Sequence, residues 1–190
     1  MNRTKLRAQS VGLVFLLATT SLLAQLQRRD PLTDLEIDKV RDSAQEPEIR
    51  LKLYVEFARA RLDKLQQANA DSKATDRAQQ IRDALQNFLD VYDELNTNVD
   101  TFADRGSDLR KALKPVIEAD TEFGSKMRAF ASSARSAGED TKEYAFLLST
   151  GLETIDSSAK DHRDLLAEQQ ETFKHKKKPD RKGEPRPSGG

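Results

Sequence analysis

Between Ala74 and Phe102, apolar side chains recur at Ala74, Ala78, Ile81, Leu85, Phe88, Tyr92, Leu95, Val99 and Phe102. The steps alternate four and three without a break. At about 100° per residue this lays every one of them on a single stripe of one helix. A stripe of this kind is unstable alone in water and requires partner helices.

The flanking segments supply partners. Thr33 to Glu36 reads as a capping box, with a hydroxyl at the cap and a carboxylate three residues on. It opens a short helix to about Gln45 whose apolar residues are Leu35, Ile37, Val40 and Ala44. Pro47 suits the first turn of a second helix, which runs to about Ala68 with a stripe of Leu51, Val55, Ala58, Leu62 and Leu65. Asn69 to Ser72 reads as a turn, with Asp71 or Ser72 capping the third helix. Gly106 provides a left-handed exit, and Ser107 caps the next helix.

The fourth helix carries Leu109, Leu113, Val116, Asp120, Phe123, Met127, Phe130, Ala134 and Ala137, and Gly138 closes it. Pro115 lies off that stripe and is expected to bend the helix. Asp140 and Glu143 form another box and open the fifth helix. Its stripe is Ala145, Leu148, Leu152, Ile155, Ala159, His162, Leu166, Gln169 and Phe173.

Short turns make neighbouring helices antiparallel. The sequence therefore predicts an all-α, antiparallel bundle of three to four long helices with coiled-coil-like packing and a short N-terminal helix. Folding the third helix onto the fourth about Gly106 pairs Tyr92 with Asp120 and Phe88 with Phe123. Folding the fourth onto the fifth about Gly138 sets His162 against Val116, one step from Asp120. The second helix reaches only to the Tyr92 layer, so the short first helix is expected to cover the far end.

Tyr92, Asp120 and His162 thus share one candidate polar layer near mid-length. A buried Asp without a partner costs several kcal/mol, and a tyrosine hydroxyl or an imidazole N–H can supply one. Such a layer either fixes register or forms a small-ligand or metal site. The usual di-iron pattern, Glu-x-x-His, is absent: Ala159 precedes His162 and Thr172 precedes His175 at that spacing. There is no Cys-x-x-Cys-His, no glycine-rich phosphate loop and no Gly-x-Ser-x-Gly. No catalytic residue, metal ligand or cofactor is assigned, and an enzyme is not expected.

Charge and composition refine this picture. Arg3, Lys5 and Arg7, the apolar run Val11–Ala24 and the small residue at Ala24 read as a secretory signal over residues 1–24. That run is short for a membrane span of about 20 residues. A polar lead occupies 25–32, then the helical domain 33–173 and a basic tail 174–190, expected to be disordered. The chain has no cysteine, so an exported domain would hold itself by packing alone. Export from a bacterial cell, to the periplasm or beyond, is the expected localisation, with no membrane span once the signal is removed.

Residues 25–173 hold 22 basic against 30 acidic side chains, and the tail holds seven against two. Asp83, Asp90, Asp93, Glu94, Asp100 and Asp104 lie on the third helix opposite its stripe, as a candidate acidic docking face or a solvated surface. Lys174, Lys176, Lys177, Lys178, Arg181, Lys182 and Arg186 form a candidate basic tether. Only Phe173 adjoins them, so base stacking has little support and nucleic acid is not expected. The expected partner is a protein or an anionic envelope polymer. Seams this regular also suit a homo-oligomer. The function expected is that of an exported, non-catalytic cell-envelope protein acting through helix–helix or charged-surface contacts.

Overall fold

The computed structural model describes residues 30–136 and 141–176. They are all-helical, with no strand among them: α1 (Asp34–Asp42), α2 (Pro47–Ala70), α3 (Arg77–Asp104), α4 (Leu113–Ser136) and α5 (Ala145–Lys176). The signal-like segment, lead residues 25–29, Ala137, Gly138, Asp140 and the tail from Lys177 onward lie outside the described residues.

Local chemistry sets several helix ends where the sequence puts them. The Glu36 amide donates to Thr33 Oγ1 at 3.4 Å, and the Thr33 amide donates to Glu36 Oε2 at 2.8 Å, closing the capping box of α1. Pro47 is the first residue of α2. Gly106, at φ 71°, ends α3. Its amide donates to the Ala103 carbonyl at 2.8 Å, and the Ser107 amide donates to the Phe102 carbonyl at 3.0 Å. Two carbonyls that the helix leaves open are thereby satisfied.

Other ends differ. Residues 71–76 form a turn, so α3 begins at Arg77 rather than after an Asp71 or Ser72 cap. The Asp71 carboxylate instead accepts from the Lys73 amide, a local bond that competes with helix. Arg77 donates to the Asn69 carbonyl at 2.6 Å, closing the end of α2. The fourth helix does not start at Ser107: residues 105–112 are a loop with Leu109 buried inside it. Pro115 is consequently the third residue of α4, where its missing N–H has no helical partner to lose, and no bend is required. The Thr141 carbonyl accepts from the Tyr144 and Ala145 amides at 3.0 and 2.7 Å, which places Glu143 in a turn ahead of α5; Asp140, the other half of the expected box, lies outside the described residues. At the other end α5 continues past Phe173, whose ring lies under the Arg110 guanidinium, to Lys176. Lys174 is therefore helical and pairs with Glu171 instead of starting a disordered tail.

The long helices share one core. α2 lies along α3 and along α4, α5 lies along α4 and along α3, and α1 rests on α2. The short connection at Gly106 predicts that α3 and α4 adjoin; instead they face each other across the core diagonal, with no Cα pair within 8 Å. Phe88 still meets Phe123, ring centroids 5.5 Å apart, because long side chains bridge that diagonal. Between α2 and α4 with the loop that precedes it, the ion pairs Arg59–Glu122, Asp63–Lys126 and Glu48–Lys111 all join residues 63 apart. Asn96–Ser158 and Ser107–Gln169, between α3 with its exit loop and α5, join residues 62 apart. The α4–α5 pair thus sits beside the α2–α3 pair, shifted along the sequence by a nearly constant offset.

The loop between the two pairs is held by α5. Gln169 Oε1 accepts from the Leu109 amide at 2.6 Å, and Gln169 Nε2 donates to the Ser107 carbonyl at 3.0 Å. Gly151 lets α5 approach closely, since a Cβ there would lie 2.9 Å from Leu89 and 3.3 Å from Met127.

α1 does not cover an end. Arg50 Nε donates to Asn98 Oδ1 at 2.6 Å, so α2 reaches almost the whole length of α3 and leaves no open end. α1 is strapped along α2: Arg50 donates to the Val40 carbonyl at 2.7 Å, and Arg61 donates to both Glu36 oxygens at 2.8 and 2.6 Å. Only Val40 of its apolar residues is buried, and Leu35 is 76% exposed. Burial alone would raise the Glu36 pKa, but Arg61 and the Thr33 bonds outweigh it and hold the carboxyl at about 2.

These helix ends can be tested in two ways. Because Glu36 is held below its ordinary value, its contribution is present above about pH 4.5 and is lost as pH falls toward 2. Amide exchange should show α1 losing protection over that window before α2, and Glu36→Gln should release α1 at neutral pH. Gly106→Ala places a Cβ at positive φ and should cost about 1–2 kcal/mol, lowering the thermal midpoint by about 2–8 °C.

Candidate functional site

Tyr92 stands midway along α3, Asp120 two turns into α4 and His162 midway along α5. The structure brings all three together. Tyr92 Oη donates to Asp120 Oδ1 at 2.7 Å, and His162 Nδ1 lies 2.9 Å from Asp120 Oδ2. The three residues are 0%, 1% and 4% exposed. Their surroundings are aromatic: Phe88 stacks on Tyr92 at 5.9 Å, and Phe123 meets the same ring edge-on at 6.1 Å. In such a low-dielectric setting each hydrogen bond is strong, and each one lost is expensive.

A carboxylate only accepts. With Oδ1 taken by the tyrosine, Nδ1 of His162 is the donor to Oδ2, and the ring orientation is fixed. Burial, then the Asp120 charge, push the Tyr92 phenol well above the usual tyrosine range. The second imidazole nitrogen, Nε2, has no partner among the described residues, and His162 lines an open groove of about 480 Å³ between α3 and α5.

Asn96, Asp100 and Asp104 form the α3 side of that groove, with Ser158 and Asp161 beside His162 on α5. Asn96 Nδ2 donates to Ser158 Oγ at 3.0 Å. Asn96 Oδ1 is buried and has no partner among the described residues. No serine or threonine hydroxyl bonds the His162 ring among them. Nor do they contain a group of three or more His, Asp or Glu side chains able to hold a metal ion. The arrangement can orient an imidazole and accept a hydrogen bond; it does not present an activated nucleophile.

The acidic residues of α3 border more than one groove. Asp83 borders a different groove, toward Arg61 and Lys64, and accepts from Gln79. Asp90 accepts from Gln86, and the Glu94 carbonyl accepts from Asn98. Asp93 is exposed, while Asp100 and Asp104 line the groove beside His162. Of the basic residues at 174–190, Lys174 and Lys176 end α5, and Lys177, Lys178, Arg181, Lys182 and Arg186 lie outside the described residues.

Nothing in the sequence pattern marks Asn96, Ser158 or Arg61 as site or anchoring residues. Gln169 does carry a signal, as a polar side chain in phase with an apolar stripe. No protein-family model, curated protein or solved structure matches this chain.

Removing the shared acceptor should be the most damaging change in the core. Asp120→Ala strands the Tyr92 hydroxyl and the His162 ring and should cost about 3–5 kcal/mol. Tyr92→Phe leaves the Asp120–His162 bond and should cost about 1–3 kcal/mol. Urea midpoints of the two variants would check this order. A phenol pKa raised by folding stabilises the native state fully below about pH 10 and less as pH rises beyond it. Tyr92→Phe should therefore flatten the alkaline fall in stability.

Proposed function

We propose that this chain is an exported, non-catalytic protein of the bacterial cell envelope that works through its surfaces. Its framework is a coiled-coil-like bundle of two antiparallel helix pairs, α2 with α3 and α4 with α5, set side by side. The pairing of Arg50, at the start of α2, with Asn98, near the end of α3, supports that direction. The observation that carries the functional reading is how polar and apolar groups are distributed. The buried tyrosine, aspartate and histidine bond one another, whereas Leu35, Ile49 and Phe146 are 76%, 48% and 77% exposed. Among the described residues no helix is long and apolar enough to cross a membrane.

Export rests on the basic start, the apolar run to Ala24 and the cysteine-free chain. The partner is another protein or an anionic envelope polymer, or a second copy of this chain. The basic residues from Lys174 to Arg186 serve as the tether, through attraction that salt screens.

Expression of the full chain in a bacterium should yield a periplasmic product whose mass begins at Gln25. An intact chain confined to the cytosol would overturn the export reading. A form ending at Phe173 should cosediment less with isolated envelope material at low salt than the full chain does. Equal partition would remove the tether.

A further inference from the structure

α2 carries a second stripe beside the apolar one. Arg50, Tyr54, Phe57 and Arg61 follow one another at steps of four, three and four, so they share one side of the helix. The arginines at its two ends are the residues that hold α1. Arg50 donates to the Val40 carbonyl, and Arg61 donates to both Glu36 oxygens and, at 3.1 Å, to the Pro31 carbonyl. α1 therefore runs antiparallel along this stripe, over Tyr54 and Phe57, which are buried and meet edge-on at 6.3 Å. The stripe is basic and aromatic. Its cover is acidic, with Asp34, Glu36, Asp38 and Asp42 against Lys39 and Arg41. α1 buries only Val40 of its apolar residues, so its hold is mostly polar and directional. Four residues, 43–46, link it to α2. Ser43 Oγ bonds back to the Val40 carbonyl and moves with α1, Ala44 and Gln45 are exposed, and Glu46 starts α2 without a side-chain cap. Re-aiming this link breaks few bonds.

We propose that α1 is an exchangeable arm: in a dimer, each copy seats its α1 on the Arg50–Tyr54–Phe57–Arg61 stripe of the other. This names the surface that engages the second copy considered above, and it rests on that reading. The occupant's chemistry is displayed by the arm that fills the stripe within one chain. Each of those bonds is remade between two chains, so exchange loses none of them, and the balance falls to the link and to concentration. A short link holds the arm at an effective concentration on the order of millimolar, so exchange competes at a similar concentration of chain. Pro47 shapes the link as well. Its ring would clash with the Ser43 carbonyl if α2 continued backward as helix. The arm therefore leaves α2 at a bend and does not straighten into one long rod.

The test is to shorten the link. Deleting residues 44–46 from the full chain leaves Ser43 alone between the helices. Helical hairpins need two to five linking residues, so α1 can then seat only on another copy. Sedimentation should show the shortened chain as a dimer at concentrations at least about tenfold below those at which the unaltered chain dimerises, on the order of 1 mM. Glu36→Gln or Val40→Asp in the shortened chain should return it to a monomer. Glu118→Gln, exposed on α4, should leave the dimer unchanged. Isotope-filtered NMR on an equal mixture of labelled and unlabelled copies should show contacts between residues 36–40 of one and 50–61 of the other. Circular dichroism would verify that each variant stays helical. If the deletion abolishes the helices, the unaltered chain at about 1 mM must show the same contacts. Monomers in both chains, a dimer that survives Glu36→Gln and Val40→Asp, or a dimer without those contacts would overturn the exchange. Export and the tether have separate readouts and do not depend on this result.

Discussion

The Asp120 carboxylate is the tie on which the interior depends. One of its oxygens takes a hydrogen bond from α3 and the other from α5, while its own backbone belongs to α4. α3 and α4 do not adjoin, so this is a directional link across the core between helices otherwise joined there by ring contacts. Apolar stripes tolerate sliding by a turn or a heptad at modest cost. A buried carboxylate does not, because any slip sets it against hydrocarbon without a donor. The polar layer therefore selects one axial register among several that the stripes alone would allow.

Around that layer the two helix pairs sit side by side at a nearly fixed sequence offset. The α2–α4 seam carries Arg59–Glu122 and Asp63–Lys126, with Lys126 also bridging to Glu122. Partly exposed pairs of this kind contribute little individually. Their value is in discrimination, since a shifted seam would lose these matches. Close approach elsewhere comes from Gly151, whose missing side chain makes room for Leu89 and Met127. α1 stands apart from this scheme, held on α2 by two arginines and one buried valine.

Much of this is legible in the sequence, for definite reasons. Strict four-three spacing marks Ile81 through Phe102 as one buried stripe, and all seven stripe residues in that range are buried. Asp120 and His162 interrupt such stripes, and turn positions suffice to align them with Tyr92. Neighbour choice is not legible, because a stripe says that a face is covered and not by which helix. Leu109 falls in phase with Leu113, so the loop reads as helix, and that misreading puts Pro115 in a helix interior. Arg50, Arg61 and Asn96 bond partners far along the chain, and such bonds leave no periodic trace.

The clamp made by Gln169 bears on the order in which the molecule can assemble. Its partner at Leu109 lies sixty residues upstream. A chain emerging vectorially from the ribosome has α2 and α3 complete long before that glutamine exists. The loop leaving α3 must then wait, its Leu109 amide and Ser107 carbonyl hydrated, until α5 is nearly finished. Fastening of that loop is consequently a late event, governed by residues near the distal end of the last helix, whereas the α2–α4 seam can close as soon as α4 exists.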